Sequence, residues 1–348
     1  MRIHILIPIL VISTISAAAG SRTYKERLDS IVVGKDWENI MHKHIYEYDS
    51  CNRVASRIDY SSRAPYNKWD NDRENLYSYT EDGKIDTVVT KENGEAMCVT
   101  KNIYDRNGNI TEVSTQGINP GVIRWCTFNR HFYFYNKRQE LAAYIRCHVR
   151  NNKYELKERI DYTYKKGKVK ECRHFTPLKK TAGTQIQRDS IILSSLWEEN
   201  DRGRYDKNGN VLWHRMYDKT DNRTDTLTYT YLEDGRPQQV FCKEQDSAAV
   251  IARFEYDAGK SVCIIQEHPV DANRDYKCEV EYSADVKAAD VECMERWNEF
   301  APNYLIRLFN VNNIDLSKYI HYKILSITVS SEYEDVCYTV RFHYSPIQ

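Results

Sequence analysis

The amino-acid sequence predicts an all-β protein: a long antiparallel meander of repeated β-hairpins, either a curled open sheet or barrel-like. Three observations lead to this fold class. A short motif of two aromatic residues and a polar turn recurs along the chain. The residues between its copies alternate between polar and β-branched or aromatic types. Helical periodicity is nearly absent before the C-terminal part.

Residues 1–20 have the features of a secretory signal peptide. Arg2 gives a positively charged beginning, the run Ile5–Ile12 is apolar, and Ala17–Ala19 supplies small residues for cleavage. The apolar run is too short for a permanent membrane helix. We therefore predict no transmembrane segment once the signal peptide is removed, and an exported protein that is periplasmic, cell-surface or secreted.

Charge and cysteine content limit the partners, disulfides and metal sites that can be expected. The 50 Lys and Arg residues balance the 50 Asp and Glu residues, so no field of one sign favours nucleic acid as a partner. The 10 cysteines are an even number, which in an exported chain suggests disulfides, with buried free thiols as the alternative. The sequence does not fix their connectivity. No C-x-x-C pair occurs, so a zinc ribbon is not expected.

The repeat consists of an aromatic residue, one spacer, a tyrosine, a polar turn and an apolar residue. Aromatic residues two positions apart share one face of a strand. The pairs Asn107-Gly108 and Asn208-Gly209 predict two-residue hairpin loops, because Asn and Gly accept positive φ. In two copies Ser50–Asn52 and Lys137–Gln139 replace the glycine turn, which leaves those turns undefined. The repeated tyrosines are Tyr48, Tyr79, Tyr104, Tyr135, Tyr164, Tyr205, Tyr231, Tyr256 and Tyr282.

A weaker duplication divides the chain. The segment Arg27–Val33 and Trp37 precede one series of hairpins, and Arg188–Leu193 and Trp197 precede another. We predict a first series in residues 21–176 and a second in 188–282. The alternative is one continuous domain over 21–348, with a long loop between the two series.

The C-terminal part, residues 283–348, has a different pattern. The stretch Ala284–Phe300 has the apolar spacing of one short amphipathic helix, and Pro302 follows it. Two closing strands are predicted in Ile324–Ser331 and Val336–Tyr344. Such a helix could cover an open end of the sheet.

Short motifs give the chain a family resemblance. It carries LDSIVV from Leu28 with a following Trp37, YEYD from Tyr46 and YDKNGNV from Tyr205. On these residues it resembles the tyrosine–aspartate repeats of large bacterial shell proteins and, more closely, secreted gut-bacterial proteins of uncharacterised function. The resemblance covers Leu28–Tyr282 and implies a porin-like, curled antiparallel sheet. It implies almost nothing about activity. A membrane-spanning barrel is disfavoured, since strands such as residues 153–164 are polar on both faces.

No motif in the sequence carries recognisable chemistry. A nucleophile elbow, a P-loop and a dinucleotide fingerprint are all missing. The segments Asp105–Asn109 and Asp206–Asn210 faintly resemble calcium loops but lack the closing glutamate, so hairpin turns are favoured. His42 and His44 share a strand face without a third metal ligand. We expect no catalytic residue, no metal and no cofactor.

The aromatic residues carry the remaining hypothesis. The 27 tyrosines either pack a narrow core or form a concave surface that binds a sugar or a peptide, with Trp69, Trp125 and Trp213 as its anchors. The leading prediction is a non-enzymatic binding or scaffold protein of the bacterial cell envelope that engages a glycan or an envelope protein. The alternatives are a hydrolase with catalytic residues on scattered strand ends, or a purely structural envelope component.

Overall fold

The computed structural model describes most of the chain after residue 25 as strands and turns. The described residues are 26–35, 40–63, 69–119, 124–150, 153–178, 182–184, 197–218, 223–244, 247–257, 260–266, 275–287, 291–292, 322–331 and 338–347. Within these ranges no residue is helical, and no helix is long and apolar enough to cross a membrane. The predicted all-β, antiparallel class is confirmed.

All the strands belong to one sheet of 22. They are β1 (Glu26–Lys35), β2 (Ile40–Tyr48), β3 (Val54–Arg63), β4 (Asp70–Tyr79), β5 (Ile85–Glu92), β6 (Glu95–Tyr104), β7 (Ile110–Asn119), β8 (Arg124–Tyr135), β9 (Leu141–Arg150), β10 (Lys153–Lys165), β11 (Lys168–Pro177), β12 (Ala182–Thr184), β13 (Trp197–Tyr205), β14 (Val211–Asp218), β15 (Arg223–Tyr231), β16 (Pro237–Glu244), β17 (Ser247–Asp257), β18 (Lys260–Gln266), β19 (Asp275–Lys287), β20 (Val291–Glu292), β21 (Tyr322–Ser331) and β22 (Tyr338–Pro346).

Strand pairing follows the chain almost without interruption. Each long strand is antiparallel to the next, with β11 joined to β13 and β19 joined to β21. The last strand, β22, pairs with β1 from Glu26 opposite Pro346 to Lys35 opposite Tyr338. The short strands β12 and β20 are additions beside β10 and β1. Every long strand described therefore has a hydrogen-bonded neighbour on both edges, which leaves it no edge for pairing with another chain.

The predicted helix at Ala284–Phe300 is wrong. Residues 284–287 continue strand β19, and Val291–Glu292 form β20, while the rest of the segment lies outside the described residues. The physical reason is the neighbouring strand: Lys287 is paired with Tyr322 of β21, so the backbone donors and acceptors join a ladder. Tertiary pairing overrides a weak helical spacing of apolar residues.

The repeated turn is larger than the two residues predicted. The backbone N–H of Asp105 donates to the carbonyl of Asn109 at 2.8 Å, and that of Gly108 donates to the carbonyl of Asp105 at 3.0 Å. Gly108 has a φ of 82°, whereas Asn107 does not adopt positive φ. The register shifts at the preceding Tyr104. This is a type I turn followed by a bulge with its glycine in the left-handed region, and Asp206–Asn210 repeats it.

The turn aspartates act as caps. The Oδ1 atom of Asp105 accepts the backbone N–H groups of Asn107 and Asn109 at 2.8 and 2.9 Å. In the two copies without glycine, Asn52 and Gln139 adopt the left-handed conformation with φ of 57° and 62°. Since a polar side chain before the turn satisfies the loop N–H groups, the same turn forms with or without glycine.

The repeated tyrosines connect neighbouring hairpins at one end of the strands, along one rim of the sheet. We call this end of the sheet, where β2, β4, β6 and the corresponding later strands finish, the tyrosine rim. The hydroxyls of eight repeated tyrosines, and that of Tyr344 on β22, each donate to a backbone carbonyl at the same rim. The donor–acceptor pairs are Tyr48–Leu28 (2.5 Å), Tyr79–Val54 (2.7 Å), Tyr104–Ile85 (2.7 Å), Tyr135–Ile110 (3.0 Å), Tyr164–Leu141 (2.9 Å), Tyr231–Val211 (2.9 Å), Tyr256–Pro237 (2.7 Å), Tyr282–Asp257 (2.8 Å) and Tyr344–Ile324 (2.7 Å).

The main hydrophobic core lies beside this rim on one face of the sheet, which we call the core face. The apolar residues that follow the turns, such as Val54, Ile110 and Val211, are buried there together with Leu28 and Ile31. A smaller cluster of Phe132, Ile145, Cys147, Tyr154 and Leu156 is buried separately. It belongs to the other face of the sheet. Phe132 and Ile145 are paired across β8 and β9, and each is next in sequence to a core-face residue, Tyr133 or Tyr144. Successive residues of a strand point to different faces.

Candidate functional site

Polar side chains cross the core face from strand to strand, further from the tyrosine rim than the buried Tyr133 and Tyr144. Register places His131 opposite Arg146, and Arg146 opposite Glu158. Two residues after Glu158, Ile160 is opposite His174, which in turn is opposite Asp201. Since alternate residues share a face, these side chains lie on the core face. We call them the polar row: His131, Arg146, Glu158, His174 and Asp201.

The first member of the polar row is a neutral histidine. The Nδ1 atom of His131 lies 2.8 Å from the Tyr144 hydroxyl. Burial, and then the positive charge of Arg146 and the nearby His148, lowers the pKa of His131 to about 4. Its imidazole is therefore uncharged at pH 7 and offers one donor and one acceptor nitrogen.

The next two members form an ion pair that remains open. The Nε atom of Arg146 lies 3.3 Å from the Glu158 Oε2 atom, and about a quarter of each side chain is exposed (27% and 25%). A guanidinium group has five N–H donors, so Arg146 keeps donors to spare after pairing. This part of the row can accept a ligand without first being uncovered.

Asp201 is a carboxyl group held toward its neutral form. Burial raises its pKa, and the negative charge of Glu158 acts in the same direction. The neighbouring His174 and the backbone N–H of Tyr217, which donates to Oδ1 at 3.2 Å, oppose the shift without cancelling it. The row therefore combines a donor-rich cation, an anion and a carboxyl group that retains a proton to higher pH than usual.

His214 lies on the core face next to the polar row. It is opposite Gly203 on β13, two residues along from Asp201, and none of its surface is exposed. Neither of its ring nitrogens has a hydrogen-bond partner in the described structure. Burial, and then the charge of His174, lowers its pKa to about 3. No pattern in the sequence distinguished this histidine from any other residue on a strand.

A second titratable cluster lies on β2 and β3. The Nδ1 atom of His44 is 2.6 Å from Asp59 Oδ1, and Arg57 Nη2 donates to Asp59 Oδ2 at 3.1 Å. Burial raises the pKa of Asp59, but His44 and Arg57 outweigh it, so the net pKa is lowered. His42 and His44 share a face as predicted. In the described ranges no three His, Cys, Asp or Glu residues are arranged to hold a metal ion.

The three predicted tryptophan anchors are not brought together. Trp69 is 38% exposed just before β4, and Trp125 is at the beginning of β8, with its side chain outside the described residues. Both positions are far from the tyrosine rim, and four strand spacings separate them by roughly 19 Å. Trp213 is half-buried on β14 near the rim and, as the neighbour of His214, faces the other way. Their role as anchors stays a prediction.

Many of the tyrosines are part of the core. Tyr46, Tyr133, Tyr205 and Tyr229 are each less than 9% exposed. The rings of Tyr133 and Tyr144 lie 5.4 Å apart and are tilted, the geometry of a packed aromatic pair. For these residues the core-packing interpretation holds, and they offer no open surface to a ligand.

Comparison with known proteins gives no family. No family model matches the chain, and no curated protein matches it. A protein of unknown function from Bacteroides fragilis is 16% identical, covering 34% of this chain and 89% of its own, with a TM-score of 0.28. A porin-like protein from Bacteroides uniformis is 12% identical over 74% of this chain and 97% of its own, with a TM-score of 0.35. A DUF3836 family protein from Parabacteroides distasonis is 21% identical over 24% of this chain and 75% of its own, with a TM-score of 0.18. We draw no functional conclusion from similarities this distant.

Proposed function

We propose that this chain is an exported, non-enzymatic binding or scaffold protein of the bacterial cell envelope that engages a glycan or a protein through its β surface. The polar row is the observation that carries the proposal. Arg146 offers N–H donors, and Glu158 and Asp201 offer carboxyl oxygens, on one face of adjoining strands. The Nε2 atom of His131 adds a donor or an acceptor, according to the tautomer that its contact with Tyr144 selects. A ligand that carries many hydroxyl groups satisfies such a mixture of donors and acceptors, so a glycan is favoured over a protein.

The frame around the row supports a binding role. Each long strand is hydrogen-bonded on both edges, and the tyrosine hydroxyls tie hairpin to hairpin along the rim. Side chains positioned on packed strands hold their geometry better than side chains on loops. Such a frame presents the polar row to a ligand at little cost in conformational entropy.

A hydrolase is the competing function, and one observation favours it. Asp201, whose pKa is raised, and Glu158, which is paired with Arg146, are two carboxyl groups in different electrostatic surroundings on the same face. General acid and base pairs are built from such differences. A test of glycan binding must therefore include an assay for cleavage of the glycan.

The test is a binding screen of the processed, exported protein against an array of host and bacterial glycans. Arg146→Gln and Asp201→Asn should each lower the array signal at least tenfold, because each removes a charge or a donor from the row. The matched control is Arg159→Gln, an arginine that pairs with Asp161 at 2.7 Å on the opposite face. This control should bind like the unchanged protein.

The remaining outcomes are equally decisive. A folded sample that binds no glycan would refute the glycan version and move the search to envelope proteins. Cleavage of a bound glycan, abolished in Asp201→Asn, would replace binding by hydrolysis. A Trp69→Ala, Trp213→Ala variant screened in parallel tests the tryptophan prediction, which requires loss of binding in that variant.

A further inference from the structure

Two cysteines occupy directly paired positions in the register of neighbouring strands. In the antiparallel pair β18 and β19, Cys263 is directly opposite Cys278, between the pairs Val262–Glu279 and Ile264–Lys277. The ladder has no register shift at any of these positions. Opposite residues of an antiparallel pair have Cα atoms about 4.5 or 5.5 Å apart. A disulfide needs a Cα separation of about 4.4–6.8 Å, so either kind of pair satisfies it.

The other cysteines on described strands lack such a neighbour. Cys98 and Cys126 are each opposite Gly117, from its two sides, so β7 separates them. Cys147 on β9 and Cys172 on β11 are likewise separated by a strand. Two strand spacings amount to roughly 10 Å, beyond the reach of a disulfide without backbone movement.

The free thiols agree with this distinction. Cys51 and Cys98 are free thiols, and Cys147, Cys172 and Cys242 are buried. Burial raises the pKa of the Cys172 thiol, which keeps it protonated and unreactive. Ten cysteines in this chain therefore do not imply five disulfides.

We propose that Cys263 and Cys278 form a cross-strand disulfide that ties β18 to β19 across the connection at residues 267–274. The bond forms by thiol–disulfide exchange with a small disulfide oxidant. One thiolate attacks the oxidant to give a mixed disulfide, and the second thiolate then displaces the oxidant's other sulfur. Both cysteines are oxidised by one electron each, and the oxidant is reduced to two thiols.

The bond can be detected by peptide mapping. Free thiols of the purified protein are blocked with iodoacetamide under denaturing, non-reducing conditions, after incubation of the folded protein with glutathione disulfide. We expect one proteolytic product in which the peptides of Cys263 and Cys278 are joined, while Cys51 and Cys98 carry the blocking group. Blocked Cys263 and Cys278 in this sample would overturn the proposal.

Thermal unfolding gives an independent readout. Adding a reductant should lower the melting temperature of the oxidised protein by several degrees, and a Cys263→Ser, Cys278→Ser variant should not respond. The matched control is Cys51→Ser, which removes an exposed free thiol and should keep the full response. A reductant response that survives in the double variant would assign the effect to other cysteines and overturn the proposal. Peptide mapping of the exported protein without added oxidant tests separately whether the bond forms in the compartment to which the protein is exported.

Discussion

The core face has two zones that differ in composition and in origin. Beside the tyrosine rim, the residues come from the repeat: an apolar side chain after each turn, such as Val54 or Ile110, and a tyrosine bonded to its carbonyl. Further from the rim, the polar row draws one residue from each of several strands, and none belongs to the repeat. The repeat therefore forms the frame of the sheet, whereas residues outside the repeat form the polar row, which is the proposed binding site.

The largest expected effect is in the rim zone. Leu28 is 1% exposed and Leu325 is 40% exposed, so the same substitution can be compared at two positions. Leu28→Ala should lower the free energy of unfolding by about 3 kcal/mol, because it leaves a cavity in the core. Leu325→Ala should change it by less than about 0.5 kcal/mol. Urea denaturation measures both, and equal losses would refute the location of the core.

Acid should weaken the protein through its buried histidines. The pKa of His214 is about 3 in the folded protein against an ordinary 6.5, so the unfolded chain binds the proton more tightly. The stabilising contribution of neutral His214 is complete above pH 6.5 and is lost as the pH falls toward 3. The expected loss between pH 7 and pH 5 is on the order of 2 kcal/mol.

The measurement for this prediction is urea denaturation at both pH values. His214→Asn should show a smaller loss between pH 7 and pH 5 than the unchanged protein, whatever its stability at pH 7. If both proteins lose the same amount, His214 is not responsible for the acid sensitivity.

Removing one rim hydroxyl should have a smaller effect. Tyr104→Phe deletes the hydrogen bond to the Ile85 carbonyl and should lower the free energy of unfolding by about 1 kcal/mol. Tyr135→Phe should cost about the same for the bond to Ile110. The double variant should be close to additive, since the two bonds share no partner. If neither single variant changes the free energy of unfolding, the tyrosine hydroxyl bonds do not stabilise the rim.

The smallest effect is a gain at a turn. Lys166 and Gly167 both have positive φ, 54° and 75°, in the two-residue loop between Lys165 and Lys168. Asparagine tolerates this conformation better than lysine, so Lys166→Asn should stabilise the protein by about 0.5 kcal/mol. Lys165→Asn, at the adjacent strand residue, should give no such gain. Thermal unfolding of the two variants checks the difference.

The two zones also differ in how far the sequence predicts them. The spacing of Tyr79 and Tyr104 and the turns that follow them predicted hairpins, because turn and strand preferences are local. The same local signals wrongly predicted a two-residue loop at Asn107-Gly108 and a helix at Ala284–Phe300. Bulges and strand partners are set by the rest of the sheet, which local signals do not describe.

The polar row could not be predicted in the same way. His131, Glu158 and Asp201 each look like ordinary alternating residues of a half-exposed strand. They meet only because of register across β8 to β13, and a bulge between Leu156 and Glu158 helps to set that register. A shift of one residue in the pairing would move a side chain to the other face. The unpartnered state of His214 is likewise a property of packing and not of sequence.

The comparison of Arg146→Gln with Arg159→Gln on the glycan array directly tests whether the polar row binds a glycan. Both variants lose one paired arginine from neighbouring strands, the first on the core face and the second on the opposite face. If the polar row binds the glycan, Arg146→Gln should lose at least tenfold of the array signal and Arg159→Gln should bind like the unchanged protein. Equal binding by the two variants, or loss confined to Arg159→Gln, would contradict it.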